Sequence, residues 1–222
     1  MTNREIMRAF HALYSGGLAQ QKRDAGEPNA MPPWAETYWL GKQVVKCPMD
    51  LWVYQEIIVE TKPDLLIETG TSGAGSAWFF ASVMDQIGKG HIITVDTVTY
   101  PHLCHPHPRI TYRVGDSISA EMVADIRRFA KDYGPNSRIM LSLDSLHTYP
   151  HVGAELAAFA DLVTPGCYCV VEDVFYADGE GGGSPDWGGL AVYEFHAAHP
   201  EFRRDLSRER HLLTSNIWFR RE

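Results

Sequence analysis

Five apolar runs of this chain close on carboxylates: residues 65–68 on Glu68, 91–96 on Asp96, 111–116 on Asp116, 139–144 on Asp144, and 167–173 on Glu172 and Asp173. Acids brought together repel one another and stay ionised only with positive charge among them. The set therefore suits cations, whether an organic cation or a hard metal ion. Asp144, Glu172 and Asp173 offer the oxygen donors that Mg²⁺ prefers. His147 stands three residues beyond Asp144, where an imidazole that titrates near neutrality can take a proton from an acceptor hydroxyl. Capping of helices and loops by the same acids is the structural alternative.

The turn after the first run reads Glu68-Thr-Gly-Thr-Ser-Gly-Ala-Gly-Ser76. Its glycines, Gly70, Gly73 and Gly75, let the backbone approach a ligand closely. Their spacing is not the G-x-G-x-x-G of dinucleotide sites, and an acid stands where a pyrophosphate would be approached. A cationic nucleoside fits better. S-adenosylmethionine carries a sulfonium, an ammonium and a ribose diol; Asp96 is placed to accept from the ribose and Asp116 from the adenine amine, with turn capping again the alternative.

For these acids to share one rim, the runs must be parallel strands of a single sheet. The pattern supports this, with strands ending at Glu68, His91–Asp96, Ile110–Val114, Ile139–Asp144 and Tyr168–Glu172, and helices Ser76–Ile87, Ala120–Tyr133 and Tyr149–Leu162 between them. A helix Ala191–His199 and short strands near Phe202–Leu206 and Ile217–Arg220 follow. Such alternation predicts a doubly wound α/β sheet. Ahead of it, residues 50–60 read as a helix with Asp50 as N-cap, ended by Lys62-Pro63. Residues 1–38 read as a helical leader that packs on the domain, closes over the site or meets a second subunit through Phe10, Leu13 and Tyr14; residues 39–222 read as one domain. The glycine-rich segment 175–189 reads as a lid or a plain connection.

With 222 residues, 45% of them hydrophobic, the chain suffices for one well-buried α/β domain. A net charge of -8 opposes a nucleic-acid partner. The opening segment is too polar for a signal peptide, and no run is apolar enough to cross a bilayer, so a cytoplasmic protein without membrane contact is expected. Cys167 and Cys169, two apart on one strand face, read as core residues rather than a disulfide. In 101–109, His102, Cys104, His105 and His107 are interleaved with prolines; this reads as a substrate-lining loop rather than a zinc site.

At these residues the chain resembles the cephalosporin hydroxylase-type methyltransferases, a family that includes antibiotic-tailoring enzymes and rhamnosyl O-methyltransferases. The resemblance runs from Trp39-Leu-Gly41 through Pro48-Met-Asp50-Leu-Trp52 and Pro63-Asp-Leu-Leu-Ile-Glu68-Thr-Gly-Thr71 to Ala191-Val-Tyr-Glu-Phe195 and Arg208-Glu-Arg-His-Leu-Leu213. Its specific part is Asp144-Ser-Leu-His147 and Val171-Glu172-Asp173. It implies a Rossmann-like class I methyltransferase fold: a mostly parallel seven-stranded sheet with helices on both faces and an antiparallel C-terminal strand pair. S-adenosylmethionine would lie on Glu68, Gly70, Thr71, Ser72, Gly75, Ser76, Asp96, Asp116 and Ser117. Mg²⁺ would lie on Asp144, Glu172 and Asp173, with His147 and Asp144 in the catalytic roles.

The activity implied is Mg²⁺-assisted methyl transfer to a hydroxyl of a small natural product, a sugar, a phenol or an antibiotic intermediate, by an enzyme expected to be a homo-oligomer. Transfer to carbon or nitrogen, or a cofactor-binding accessory subunit, are the alternatives. The chain departs from the family pattern at Ser72-Gly73-Ala74-Gly75, at Leu146 and at Thr214-Ser-Asn-Ile-Trp218, and its leader is unmatched.

Overall fold

A computed structural model describes residues 9–10, 12–98, 100, 104–174, 188–208 and 216–222. A π-helical turn Leu13–Gly17 leads into α1 (Leu18–Asp24), and a small hairpin, β1 (Tyr38–Trp39) and β2 (Lys42–Gln43), precedes α2 (Pro48–Thr61). The alternating part follows as β3 (Leu65–Thr69), α3 (Gly75–Ile87), β4 (His91–Asp96), β5 (Ile110–Val114), α4 (Ala120–Asp132), β6 (Ile139–Leu143), α5 (Tyr149–Phe159) and β7 (Tyr168–Val171). The chain then forms α6 (Gly189–Ala198), β8 (Phe202–Arg204) and β9 (Ile217–Arg221).

The main sheet has seven strands in the order β5-β4-β3-β6-β7-β9-β8. Neighbours from β5 to β7 are parallel, while β9 runs antiparallel to both β7 and β8. The chain therefore builds outward from β3 through β4 to β5, then crosses back to lay β6 on the other side of β3. Strand order reverses between β3 and β6, and such a switch point opens a crevice beyond the carboxyl ends of the strands. Gly70 and Asp144 are the residues that immediately follow β3 and β6.

Alternation along the strands divides the core. Leu65 and Ile67 join a cluster with Ile126, Leu156, Phe159 and Val192 on the α4, α5 and α6 face. Leu66, Ile92, Met140 and Val170 join Tyr54, Ile57, Phe80 and Trp218 on the α2 and α3 face. With a period of two, Glu68, Thr94, Ser142 and Glu172 continue the second set. Their polar groups come out among the aromatic rings of that layer.

Element ends differ from the sequence reading in ways local chemistry explains. α2 starts at Pro48, whose fixed φ suits the first helical position, so Asp50 lies in the first turn and is not the N-cap. Lys62, in the left-handed region with Pro63 behind it, ends that helix as expected. Ser119 caps α4 by accepting from Met122 N at 3.3 Å. β7 stops before Glu172, and β8 is only three residues long. Cys167 and Cys169 are buried free thiols. His102 and the glycine-rich segment 175–187 lie outside the described residues.

Two glycines are required by backbone contacts. Gly70 has φ +87°, and a Cβ there would stand 1.9 Å from the Asp144 carbonyl oxygen. At Gly75 a Cβ would meet the Gln43 carbonyl oxygen at 2.2 Å, so the segment after β2 can lie directly on the start of α3. Gly16, by contrast, has open space around it. Gly75→Ala is expected to destabilise the fold by about 1–3 kcal/mol, the usual cost of overpacking, while Gly16→Ala leaves stability unchanged or slightly raised; urea unfolding of the two variants measures the contrast.

Candidate active site at the switch point

Glu68 sits in register with Thr94 on one side and Ser142 on the other. The Thr94 hydroxyl donates to Glu68 Oε2 at 2.6 Å and lies 2.7 Å from the Thr71 hydroxyl. Glu68 is fully buried, and its Oε1 has no well-formed hydrogen bond among the described residues. Burial pushes its carboxyl up to about 7, with Ser76, Thr94 and Lys46 working against the rise and Glu172 adding to it. Although expected to hold the cofactor, Glu68 is not among the residues lining the two clefts described below.

The cation already present among these acids is Lys46, which the sequence reading did not single out. It comes from the segment between β2 and α2, where Val45 holds φ +61°. A β-branched residue in that region costs roughly 1–3 kcal/mol and persists only where its surroundings impose it. The Lys46 ammonium lies 2.5 Å from Asp144 Oδ2 and 2.6 Å from Glu172 Oε1. Burial alone would lower its pKa; the two carboxylates outweigh that and hold it above the ordinary value. The Tyr54 hydroxyl donates to Glu172 Oε1 at 2.6 Å and stands 2.7 Å from Ser142 Oγ. Asp144 is raised by burial and by Glu172 and Asp173, with Lys46 opposing.

Past β7 the chain turns at Asp173, φ +54°, whose N–H donates to Asn216 Oδ1 at 3.3 Å. The turn brings Asp173 to the rim while Glu172 stays underneath. His147 Nε2 lies 3.6 Å from both Asp144 Oδ1 and Asp173 Oδ2. Among the described residues, the group whose donor atoms converge within 4.8 Å is Asp144, His147 and Asp173. This differs from the expected trio of Asp144, Glu172 and Asp173, because Glu172 is engaged by Lys46 and Tyr54. Two carboxylates with open positions around them suit a hard divalent cation that keeps part of its water.

Two clefts meet at this point. One, of about 500 Å³, is lined by Gly70, Ser72, Asp96, Asp116, Ser117 and His151, among others. The other, of about 530 Å³, is lined by Phe10, Tyr14, Trp34, Asp144, His147 and Asp173, with Lys46 and Glu172 at its base. Gly70, Ser72 and Asp144 belong to both. Thr71, Gly75 and Ser76 line the second cleft rather than the first. Cys47 also lines it, with its thiol pushed up to about 11 by burial and by Asp50, which keeps it protonated.

Asp96 accepts from Ser72 N at 2.8 Å and from Val98 N at 3.2 Å, which ties the glycine turn to the end of β4. Asp116 accepts from Ile118 N at 3.1 Å, so the capping role foreseen as the alternative is present while the residue still lines the cleft. Ser117 donates to Glu155 at 2.6 Å; Ser145 does so at 2.7 Å, and His151 approaches the same oxygen at 3.4 Å. Glu155, a buried acid on α5, is a second residue the sequence reading missed.

Cys104, His105 and His107 are not among the residues lining either cleft. His107 pairs with Asp85 at 3.3 Å and packs against Trp78. Phe10 and Tyr14 stack at 4.9 Å and face the second cleft, while Leu13 stays exposed, so the three do not form one stripe.

Glu68 gives this site a pH signature. Its folded pKa, about 7, exceeds the ordinary 4.5, so the folded state holds the proton more tightly than the unfolded chain. The resulting stability is fully present below about 4.5 and is lost as pH rises through about 7. Glu68→Gln is expected to remove that loss, worth on the order of 2–3 kcal/mol, so urea unfolding at pH 5 and pH 8 should show a smaller decline in the variant than in the wild type.

Comparison with known proteins places the fold and the family. The model of the Rhamnosyl O-methyltransferase/CmcI family matches residues 32–221. A rhamnosyl O-methyltransferase of Mycobacterium leprae is 36% identical over 142 residues, 63% of this chain and 61% of the relative. One of Mycobacterium tuberculosis is 35% identical over 171 residues, 76% of this chain and 63% of the relative. The chain thus spans under two thirds of the length of these relatives. A solved structure of CmcI with Mg and SAM superposes with a TM-score of 0.62 at 17% identity, covering 90% of this chain and 84% of that one. The architecture is that of the class I methyltransferases, and the matched stretch holds every strand of the sheet. The chain belongs to the Rhamnosyl O-methyltransferase/CmcI family.

Proposed function

We propose that this chain binds S-adenosylmethionine in the 500 Å³ cleft and transfers its methyl group to a hydroxyl of a small molecule held in the adjoining 530 Å³ cleft. The observation that carries this reading is the shared wall. Gly70, Ser72 and Asp144 border both spaces, so a donor in one and an acceptor in the other meet across a few atoms. Family membership and the relatives named rhamnosyl O-methyltransferase agree with oxygen as the acceptor atom.

Asp96, at the end of β4, binds the ribose diol, and Asp116 faces the adenine. Glu68, buried behind the glycine turn, acts on the donor only through that turn and, when ionised, through its charge. A divalent ion, Mg²⁺ by analogy with the CmcI structure, would be held by Asp144 and Asp173 beside His147, and when bound it supplies charge that orients an acceptor oxygen and raises its acidity. His147 takes the acceptor proton at Nε2. Phe10, Tyr14 and Trp34, from the leader, form an aromatic wall that excludes water and positions the acceptor. In this reading the leader, residues 1–38, is part of the acceptor site.

Calorimetric titration of S-adenosylmethionine and S-adenosylhomocysteine into the protein tests the donor half, and absence of heat for both would overturn it. Asp96→Ala is expected to weaken donor binding on the order of tenfold or more, from the loss of hydrogen bonds to a charged acceptor. His147→Asn should leave that affinity within about twofold while lowering kcat by roughly 10²–10⁴, the usual range for a general base. Steady-state assays with a rhamnoside or a phenol as acceptor read the second effect.

A further inference from the structure

Lys46 divides the acid cluster in a way the proposed metal site does not explain. Asp144 turns one oxygen, Oδ2, to the Lys46 ammonium at 2.5 Å, and the other, Oδ1, toward His147 Nε2 at 3.6 Å. Glu172 Oε1 takes both Lys46, at 2.6 Å, and the Tyr54 hydroxyl, at 2.6 Å. Asp173, at the left-handed turn, stands beside His147 instead. A buried ammonium thus holds two of the three acids expected to bind metal.

The segment that carries Lys46 is fixed from both sides. Its backbone at Gln43 and Val44 rests on Gly75, where even a Cβ would collide, and Val45 is held in the left-handed region. Lys46 itself is 5% exposed. A side chain delivered by such a constrained backbone into a pair of carboxylates acts as a resident counter-ion.

We propose that Lys46 competes with the divalent cation for Asp144 and Glu172, and so sets how weakly the protein binds that cation. This rests on the metal reading given above. With the ammonium in place, Asp144 and Asp173 form the open seat beside His147, and part of the acid charge is already neutralised. Removing the ammonium frees Glu172 and one oxygen of Asp144. The metal then gains ligands and loses a like charge close by, an effect on the order of tenfold or more in affinity. Val45 and Gly75 serve the same end, by fixing where the ammonium stands.

The test uses Mn²⁺ alone, without donor or acceptor, titrated into wild type, Lys46→Met, Lys46→Gln and Asp173→Asn, with free Mn²⁺ read by electron paramagnetic resonance. Circular dichroism checks that each variant is folded, and the glutamine variant serves if the methionine variant is not. The expected result is tighter Mn²⁺ binding by the Lys46 variants, by about tenfold or more, with weaker binding by Asp173→Asn. The Lys46 variants should also melt lower than wild type without metal and recover more of their melting temperature when Mn²⁺ is added. Equal or weaker Mn²⁺ binding by a folded Lys46 variant, with Asp173→Asn still impaired, overturns the competition and leaves the metal reading standing. No Mn²⁺ binding by any of the proteins overturns both.

Discussion

The structure depends on a charge imbalance at the point where strand order reverses. Glu68, Asp144, Glu172 and Asp173 come to one edge of the sheet, and Lys46 is the cation paired with two of them. Removing carboxylates from water costs several kcal/mol each unless hydrogen bonds and opposite charge compensate. The surrounding residues supply that compensation. Thr94 donates to Glu68, Tyr54 donates to Glu172, and Ser142 stands beside the Tyr54 hydroxyl within an otherwise aromatic layer. The compensation is incomplete at Glu68, whose carboxyl is pushed up to about 7 by burial.

The same edge explains why the two clefts adjoin. The close approach of Gly70 to the Asp144 backbone joins the ends of β3 and β6, and both clefts border these two residues. Asp116, Asp96 and Glu68 follow one another from the outer strand inward, and Asp144, Glu172 and Asp173 continue beyond the switch point. In the proposed function Asp96 and Asp116 face a sulfonium nucleoside, and Asp144 and Asp173 face a metal ion. The strand order thus sets the two clefts side by side, and the segments around them complete their walls. The leader then closes the acceptor side with Phe10, Tyr14 and Trp34.

Much of this was legible in the sequence, because strands ended by acids have a simple signature. The alternation of apolar runs predicted the doubly wound sheet, and the terminal acids marked the edge where the two clefts open. At the metal seat the donor atoms that converge are those of Asp144, Asp173 and His147. Glu172 and Asp173 are adjacent, so the question was whether the chain turned between them; it does turn, at Asp173, and in doing so it leaves Glu172 beneath the rim. Lys46 escaped notice because it is distant in sequence from every acid it touches. Its signal was present all the same: one lysine in Val44-Val-Lys-Cys47 has apolar neighbours on both sides, and a buried lysine needs an acid partner. Glu155 was hidden because its partners Ser117 and Ser145 stand in the turns after two different strands, one of them far from α5 in sequence. The histidines near residue 105 show the converse, a suggestive run in which His107 lies against Asp85 and Trp78, outside the lining of both clefts.

The central claim is that a cationic methyl donor and a divalent ion occupy adjoining clefts that both border Gly70 and Asp144. Its most direct test is the nuclear relaxation of S-adenosylmethionine labelled with ¹³C in the transferable methyl, bound to the protein with and without Mn²⁺. The account predicts strong paramagnetic broadening of the methyl resonance by protein-bound Mn²⁺, lost in Asp173→Asn. A bound donor whose methyl signal is indifferent to bound Mn²⁺ would contradict it.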